Sequence, residues 1–351
     1  MKTVAFIGYG FMGRIHAACW RRIRGIRVAA VCVRNPASLA RAVKVYGCVG
    51  EAVPANLPPD VAVYTDAEKM LSEVKPDIVD IVLPTALHAA AVETALAHGA
   101  HVLCEKPLAR DAREAGRIVR AAARAQGILM VAQCLRFAPE YAYLKKLVAS
   151  NRYGTVTAAT FTRLTPPPRA AKGTSWFQDE SVSGGVALDL NIHDADIVNW
   201  LFGLPRAVAC RAHRAASGTM DHLVASYDYP DKIVTSEASW STTETFGFTY
   251  GFRVHFARAT VVYDPRLPTP FMVYPATGKP FAPAFRDTDP YQNEIAFFHR
   301  LVTGRVRAEA NPAPLADILA SLALVDAERT AARTGRPARI AQPRQLHGES
   351  T

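Results

Sequence analysis

No stretch of the 351-residue chain approaches the roughly 20 consecutive apolar residues that a bilayer-spanning helix needs, so a membrane protein is not expected. The N-terminus carries Lys2 but no sustained apolar segment, because Gly8 and Gly10 interrupt it at once; a cytoplasmic location is the expectation. No two of the six cysteines (Cys19, Cys32, Cys48, Cys104, Cys134 and Cys210) form a C-x-x-C pair, and several sit inside apolar runs. That pattern reads as buried free thiols rather than disulfides or structural zinc, and no metal is expected. No internal repeat is visible. Basic residues outnumber acidic ones by 41 to 31, but they are dispersed, with only short groups such as Arg21, Arg22 and Arg24. No aromatic-interleaved or zinc-finger pattern accompanies them, so a nucleic-acid partner is not expected. The positive field instead favours anionic small molecules.

Half of the residues are hydrophobic and about a fifth charged, the composition of a globular protein, and the length favours two domains. The chain opens with V-A-F-I-G-Y-G-F-M-G. Val4 to Ile7 suits a buried strand, and Gly8, Gly10 and Gly13 follow in G-x-G-x-x-G spacing before a helical segment over 15–23. Strand, glycine turn and helix in this order form a cradle for a dinucleotide pyrophosphate. Gly8, Gly10, Phe11, Met12 and Gly13 are the expected cofactor contacts. A second strand, Ile26 to Val33, ends without the carboxylate that would accept from NAD ribose hydroxyls. Arg34 and Asn35 follow instead, so the cofactor is NADP or NAD with a lean to NADP, whose 2′-phosphate Arg34 would pair.

Strands continue to alternate with helices through Ile128 to Gln133, which predicts a doubly wound parallel sheet. Its strand ends place Pro84, Thr85 and His88, and then Glu105 and Lys106, at the ligand crevice. After Asn151 the pattern becomes β-rich: 155–163, 207–215, 222–229, 233–241 and one long strand over 250–263. The fold class is therefore α/β: an N-terminal Rossmann sheet plus a C-terminal α+β domain with a large, open, mostly antiparallel sheet. The boundaries read as 1–125, 126–342 and a polar tail over 343–351. Helices are expected over 36–45, 294–302 and 314–334 and a loop over 50–60, while the proline- and aromatic-rich 265–290 cannot be continuous strand or helix.

The stretch G-G-V-A-L-D-L-N-I-H-D puts Asp189 and His193 four residues apart, on one face if helical. A carboxylate beside an imidazole orients a general acid/base and tunes it towards neutrality. Lys106, Asp189 and His193 are the catalytic candidates. Arg136, Trp176, Asn191 and Tyr291 are candidates for substrate contact, with Lys106, Asp189 and His193.

With P-T-A-L-H at 84–88, H-V-L-C-E-K-P at 101–107, R-F-A-P at 136–139 and G-G-V-A-L-D-L-N-I-H-D-A-D at 184–196, the chain resembles the Gfo/Idh/MocA family. A late Gly-Arg-Pro at 335–337 extends the resemblance over nearly the whole length. It implies a nicotinamide-dependent oxidoreductase acting on a sugar, inositol or related polyol. It further implies a Lys–Asp–His set carried by Lys106, Asp189 and His193, and a homodimer or homotetramer formed through the C-terminal sheet. Two alternatives follow from relatives of this kind: a redox-neutral lyase or glycosidase with tightly bound NAD, and a non-catalytic nucleotide-sensing regulator.

Overall fold

The structure, a computed structural model, describes residues 1–40, 57–168, 177 and 179–341. Cys48, Trp176, the tail over 343–351 and most of the stretch expected as helix and loop over 36–60 lie outside the described residues.

The first sheet has six parallel strands: β1 (Lys2–Ile7), β2 (Ile26–Cys32), β3 (Ala62–Tyr64), β4 (Ile78–Ile81), β5 (His101–Glu105) and β6 (Leu129–Ala132). Their order is β3-β2-β1-β4-β5-β6. Helices cover both faces, so the central strands are near-continuous apolar runs; Val4, Ala5 and Phe6 are fully buried. The helices are α1 (Phe11–Arg21), α2 (Ala67–Val74), α3 (His88–Ala97) and α4 (Ala112–Arg124). Asp66 and Asp111 start α2 and α4 by accepting from Lys69 N and Glu114 N, a local signal that needs no tertiary help. The strand order reverses between β1 and β4, and a ligand crevice opens beyond the carboxyl ends there. β6 completes this sheet by parallel pairing with β5.

α5 (Pro139–Ser150), with Pro139 at its first position, leads into the second sheet, an element that sequence reading passed over. That sheet has eight strands: β7 (Val156–Leu164), β8 (Ala207–Arg214), β9 (Met220–Asp228), β10 (Ile233–Ser239), β11 (Thr249–Phe256), β12 (Ala259–Tyr263), β13 (Phe271–Pro275) and β14 (Ala338–Arg339). The order is β13-β12-β11-β7-β10-β9-β8-β14, antiparallel except for the β7–β10 pair. The remaining helices are α6 (Glu180–Ser183), α7 (Ile192–Phe202), α8 (Pro290–Val302) and α9 (Leu315–Thr334). Leu223, Ala225 and Tyr227 of β9 point into the core that α7 and α9 complete, while Val224, Ser226 and Asp228 face out. The single strand expected over 250–263 is a hairpin. Ala257 and Arg258 make its turn, donating to Thr155 O and Tyr153 O, and the buried positions change phase across it, from Val254 and Phe256 to Ala259, Val261 and Tyr263. The proline-rich 265–290 stretch contains β13, which its alternating Phe271 and Val273 bury against β12.

α8 returns to the first sheet. Ile295 and Phe298 join Val4, Phe6, Ile15 and Trp20 in one core, with the Trp20 and Phe298 rings 6.4 Å apart. The described cysteines are all free and buried. No helix among the described residues is long and apolar enough to cross a membrane.

Arg136 ties the two halves together. Its guanidinium donates to both Asp196 oxygens at 2.8 and 2.7 Å, and to Pro312 O and Asp317 Oδ2 at 2.6 Å each. Arg136 and Asp196 are almost fully buried. Arg136→Ala strands that carboxylate, and urea denaturation is expected to show a loss of about 3–5 kcal/mol. A loss below about 1 kcal/mol would show that the pair does not hold the halves together.

Candidate active site

The glycine turn after β1 has the geometry of an anion cradle. Gly8 has φ +92°, and a Cβ there would lie 2.2 Å from the Val82 carbonyl oxygen. A Cβ on Gly13 would lie 3.1 Å from Gly8 O, so this glycine allows the turn and helix to approach closely. At Gly10 a Cβ would meet no protein atom within 4 Å; the space it would enter is open. α1 begins immediately afterwards with no capping side chain and no acid in its first turn. Its first N–H groups and the helix dipole are left for an anion from outside to complement, which fits the pyrophosphate of a dinucleotide. Phe11 and Met12 carry the cradle into a cavity of about 830 Å³.

At the end of β2, Val33 is buried and Arg34 and Asn35 are exposed. The Asn35 side chain accepts from Ala37 N, and its carbonyl accepts from Ser38 N and Oγ. Asn35 therefore caps the short turn Pro36–Ala40, leaving Arg34 as the charged group of the pair. Pro84 and Thr85 lead from the end of β4 into α3. His88 is fully buried, with Nδ1 and Nε2 each 2.8 Å from a carbonyl oxygen, of Pro107 and Leu83 respectively. Burial holds its pKa below the ordinary imidazole value, against those two carbonyls. His88 thus braces the two loops of the crevice and offers no free polar atom to a cofactor.

Lys106 leaves the end of β5 and crosses to the second unit. Its Nζ donates to the Asp189 carbonyl at 2.7 Å and lies 3.3 Å from Asp189 Oδ1. Beneath it runs a buried polar chain. Glu105 Oε2 accepts from Lys106 N at 3.0 Å, and Glu105 Oε1 lies 3.1 Å from His16 Nε2. His16 Nδ1 lies 3.1 Å from both Asp80 oxygens, and Trp20 Nε1 donates to Asp80 Oδ2 at 2.7 Å. Burial opposes charge on His16, but Asp80 and then Glu105 raise its pKa well above the ordinary value. Burial also works to raise Glu105, but His16 and Lys106 outweigh it and hold that carboxyl below its ordinary range. Nearby Glu294 is fully buried with neither oxygen bonded; burial, with Glu105 and Asp80 adding to it, pushes its pKa well up, so it stays protonated.

Lys106, Asp189 and His193 line the same cavity, together with Glu105, Phe11 and Met12. The expected Asp189–His193 pairing is not formed: Asp189 lies in a π-turn, Ala187–Asn191, and its carboxylate turns to Lys106. The wider winding of a π-turn moves residues four apart off a shared face. The His193 Nδ1 atom is buried without a partner. Desolvation, then the Lys106 and Arg163 cations, keep its pKa well below the ordinary imidazole value, so the ring is neutral.

Two residues offered for substrate contact lie elsewhere. Arg136 is spent on Asp196 and Asp317, as described above. Asn191 is fully buried and donates to Glu328 Oε2 at 2.8 Å; that carboxyl is pushed up to about 7 by burial, against hydrogen bonds from Tyr227 and Asn191. Tyr291 does line the cavity. Sequence reading missed His16, Asp80, Glu140 and the Arg163–Asp194 pair, whose atoms approach to 2.9 Å. Asp80 was detectable as an acid inside the buried run I-V-D-I-V.

A dinucleotide cradle joined to a lysine, a carboxylate and a neutral imidazole in one cavity defines a two-part nucleotide-dependent enzyme fold. Residues 2–133 match the family model described as "Oxidoreductase family, NAD-binding Rossmann fold", and residues 141–262 match the GFO/IDH/MocA C-terminal domain. The chain belongs to the Gfo/Idh/MocA oxidoreductase family. It is similar to inositol 2-dehydrogenase of Rhizobium meliloti, 27% identical over 344 residues, spanning 93% of this chain and 96% of that one. It is also similar to the NADP(+)-dependent scyllo-inositol 2-dehydrogenase IolW of Bacillus subtilis, 27% identical over 49% of this chain and 48% of that one. Levoglucosan dehydrogenase in complex with NADH and levoglucosan shares the fold, with a TM-score of 0.80 at 19% identity over 97% of this chain and 100% of that one.

The glycines separate folding from cofactor binding. Gly8→Ala is expected to destabilise the chain, because its Cβ would meet the Val82 carbonyl at 2.2 Å on a left-handed backbone. Gly10→Ala is expected to melt like the wild type yet bind dinucleotide at least about tenfold more weakly, as read by fluorescence titration and calorimetry. Wild-type affinity in Gly10→Ala would exclude this turn as the pyrophosphate site.

Proposed function

We propose that the protein is an NAD(P)-dependent oxidoreductase that moves a hydride between nicotinamide and a hydroxyl-bearing carbon of a sugar, inositol or related polyol. The observation that carries this reading is the Lys106–Asp189 contact beside neutral His193, at the inner end of a cavity that begins on the glycine cradle. When bound, the nicotinamide supplies the hydride acceptor or donor. Gly8, Gly10, Phe11, Met12 and Gly13 would hold its pyrophosphate end, with Pro84, Thr85, Glu105 and Lys106 along the crevice.

His193 takes the hydroxyl proton as general base; its lowered pKa keeps it unprotonated and ready. Lys106 hydrogen-bonds the same oxygen and stabilises the developing alkoxide. Asp189 fixes Lys106 rather than His193, so its role is to aim the ammonium. Glu105 holds the Lys106 main chain from below. The named activities of inositol and scyllo-inositol dehydrogenases among the relatives support a cyclic polyol or sugar as substrate.

For the cofactor we favour NADP over NAD. Exposed Arg34 follows Val33 where an acid would reject a 2′-phosphate, which supports the preference. The outer face of the eight-stranded sheet, with Val224 and Ile233 exposed, is the surface we assign to self-association as a dimer or tetramer.

A panel of sugars and inositols, assayed with both cofactors through the absorbance of reduced nicotinamide, is expected to find turnover, higher with NADP. Lys106→Ala and His193→Ala are each expected to lower kcat/KM by about 10²–10³-fold or more. Because the His193 pKa is depressed, the acid limb of kcat/KM falls below the ordinary imidazole pKa of about 6.5. Wild-type turnover in either variant, or an acid limb above that value, would contradict these roles.

A further inference from the structure

The cavity walls carry several charged side chains, and nearly all are answered from within the protein. Arg22 pairs with Asp289 at 3.3 Å, Lys106 with Asp189, Arg163 with Asp194, and Glu105 with His16. Glu140 is the exception. It lines the same cavity and forms no ion pair or side-chain hydrogen bond with any described residue. Burial raises its pKa, and only its own main-chain N–H works the other way. The first turn of α5 suits an acid through the helix dipole, which explains the residue type. It does not explain why a partly buried carboxylate lining the cavity is left without a pairing group, when burial costs it solvation.

The surroundings of Glu140 narrow what it receives. The next residue, Tyr141, also lines the cavity; its hydroxyl is buried beside the Arg163 guanidinium. Aromatic rings supply much of the rest of this wall. Phe248 and Tyr250 stack with centroids 5.3 Å apart, and Tyr263 lies 5.8 Å from Tyr250. Hydroxyl donors would leave the carboxylate's charge uncompensated in a partly desolvated site. An ammonium neutralises it and makes charge-assisted hydrogen bonds.

We propose that Glu140 is a specificity residue that receives a protonated amino group, so that the substrate is an amino-substituted sugar or cyclitol rather than a neutral polyol. The proposal rests on the sugar or polyol reading above and sharpens it. The amino group belongs to a part of the substrate other than the reacting carbinol, which Lys106 and His193 serve.

The test is calorimetric titration of the NADP-loaded protein with matched ligands: D-glucosamine against D-glucose, and an amino-deoxy-inositol against myo-inositol. The expected result is binding of the amino member at least about tenfold more tightly at a pH below the amine's pKa, with the ratio falling towards one above it. In Glu140→Gln the ratio falls to about one at every pH, and in Glu140→Asp the preference survives. If Glu140→Gln fails to fold, Glu140→Asp and the pH series carry the test. No amino preference in the wild type, an undiminished preference in Glu140→Gln, or binding of neither member of either pair overturns the proposal. Tight amine binding without nicotinamide reduction overturns the dehydrogenase reading and leaves Glu140 in place. Turnover without amino preference does the reverse.

Discussion

The ammonium of Lys106 reaching the main-chain oxygen of Asp189, at 2.7 Å, is the contact on which the site depends. It starts at the carboxyl end of a strand in the nucleotide-binding sheet and ends in a turn that precedes α7, against the second sheet. Neither half holds a complete site. The first contributes the anion cradle and the lysine; the second contributes Asp189, His193 and the aromatic wall. The proposed site therefore needs both halves together, and the buried ion pair of Arg136 with Asp196 ties them.

Charge placement explains why these groups hold useful protonation states. His16 is kept charged between Asp80 and Glu105, and in turn keeps Glu105 ionised beneath Lys106. Glu294 joins the same buried cluster but stays protonated, first because it is fully buried and then because a further charge there would meet Glu105 and Asp80. His193 stays neutral because it is buried, with the Lys106 and Arg163 cations adding to the effect. One lysine, one ionised carboxylate below it and one neutral imidazole across from it thus arise from different surroundings of ordinary side chains.

Much of the nucleotide-binding half was legible in the sequence because its signals are local. Glycine spacing, apolar strand runs and the capping residues Asp66 and Asp111 each act within a few positions. The second half was legible as a β-rich sheet but not in detail. The hairpin at Ala257–Arg258 reads as one strand in the sequence, since its turn is only two residues long and holds no glycine, proline or asparagine to mark it. The chemistry-bearing residues were legible as types; their partners were not. Asp189 was assigned to His193 on α-helical spacing, and a π-turn sent it to Lys106. Arg136, 60 residues from Asp196 in sequence, could be recognised as a structural ion pair only once the helices were packed. Glu140 carried no motif and became visible only when every other charge around the cavity had found its partner.

The central claim is net hydride transfer from a carbinol carbon to nicotinamide, and isotope transfer measures it most directly. The enzyme is given a polyol bearing deuterium at the reacting carbon and excess oxidised cofactor. Mass spectrometry of the released cofactor is predicted to show one deuterium per molecule, accumulating in step with the oxidised product over many turnovers. Cofactor that stays unlabelled while substrate is consumed, or deuterium that returns to the product, would contradict the account.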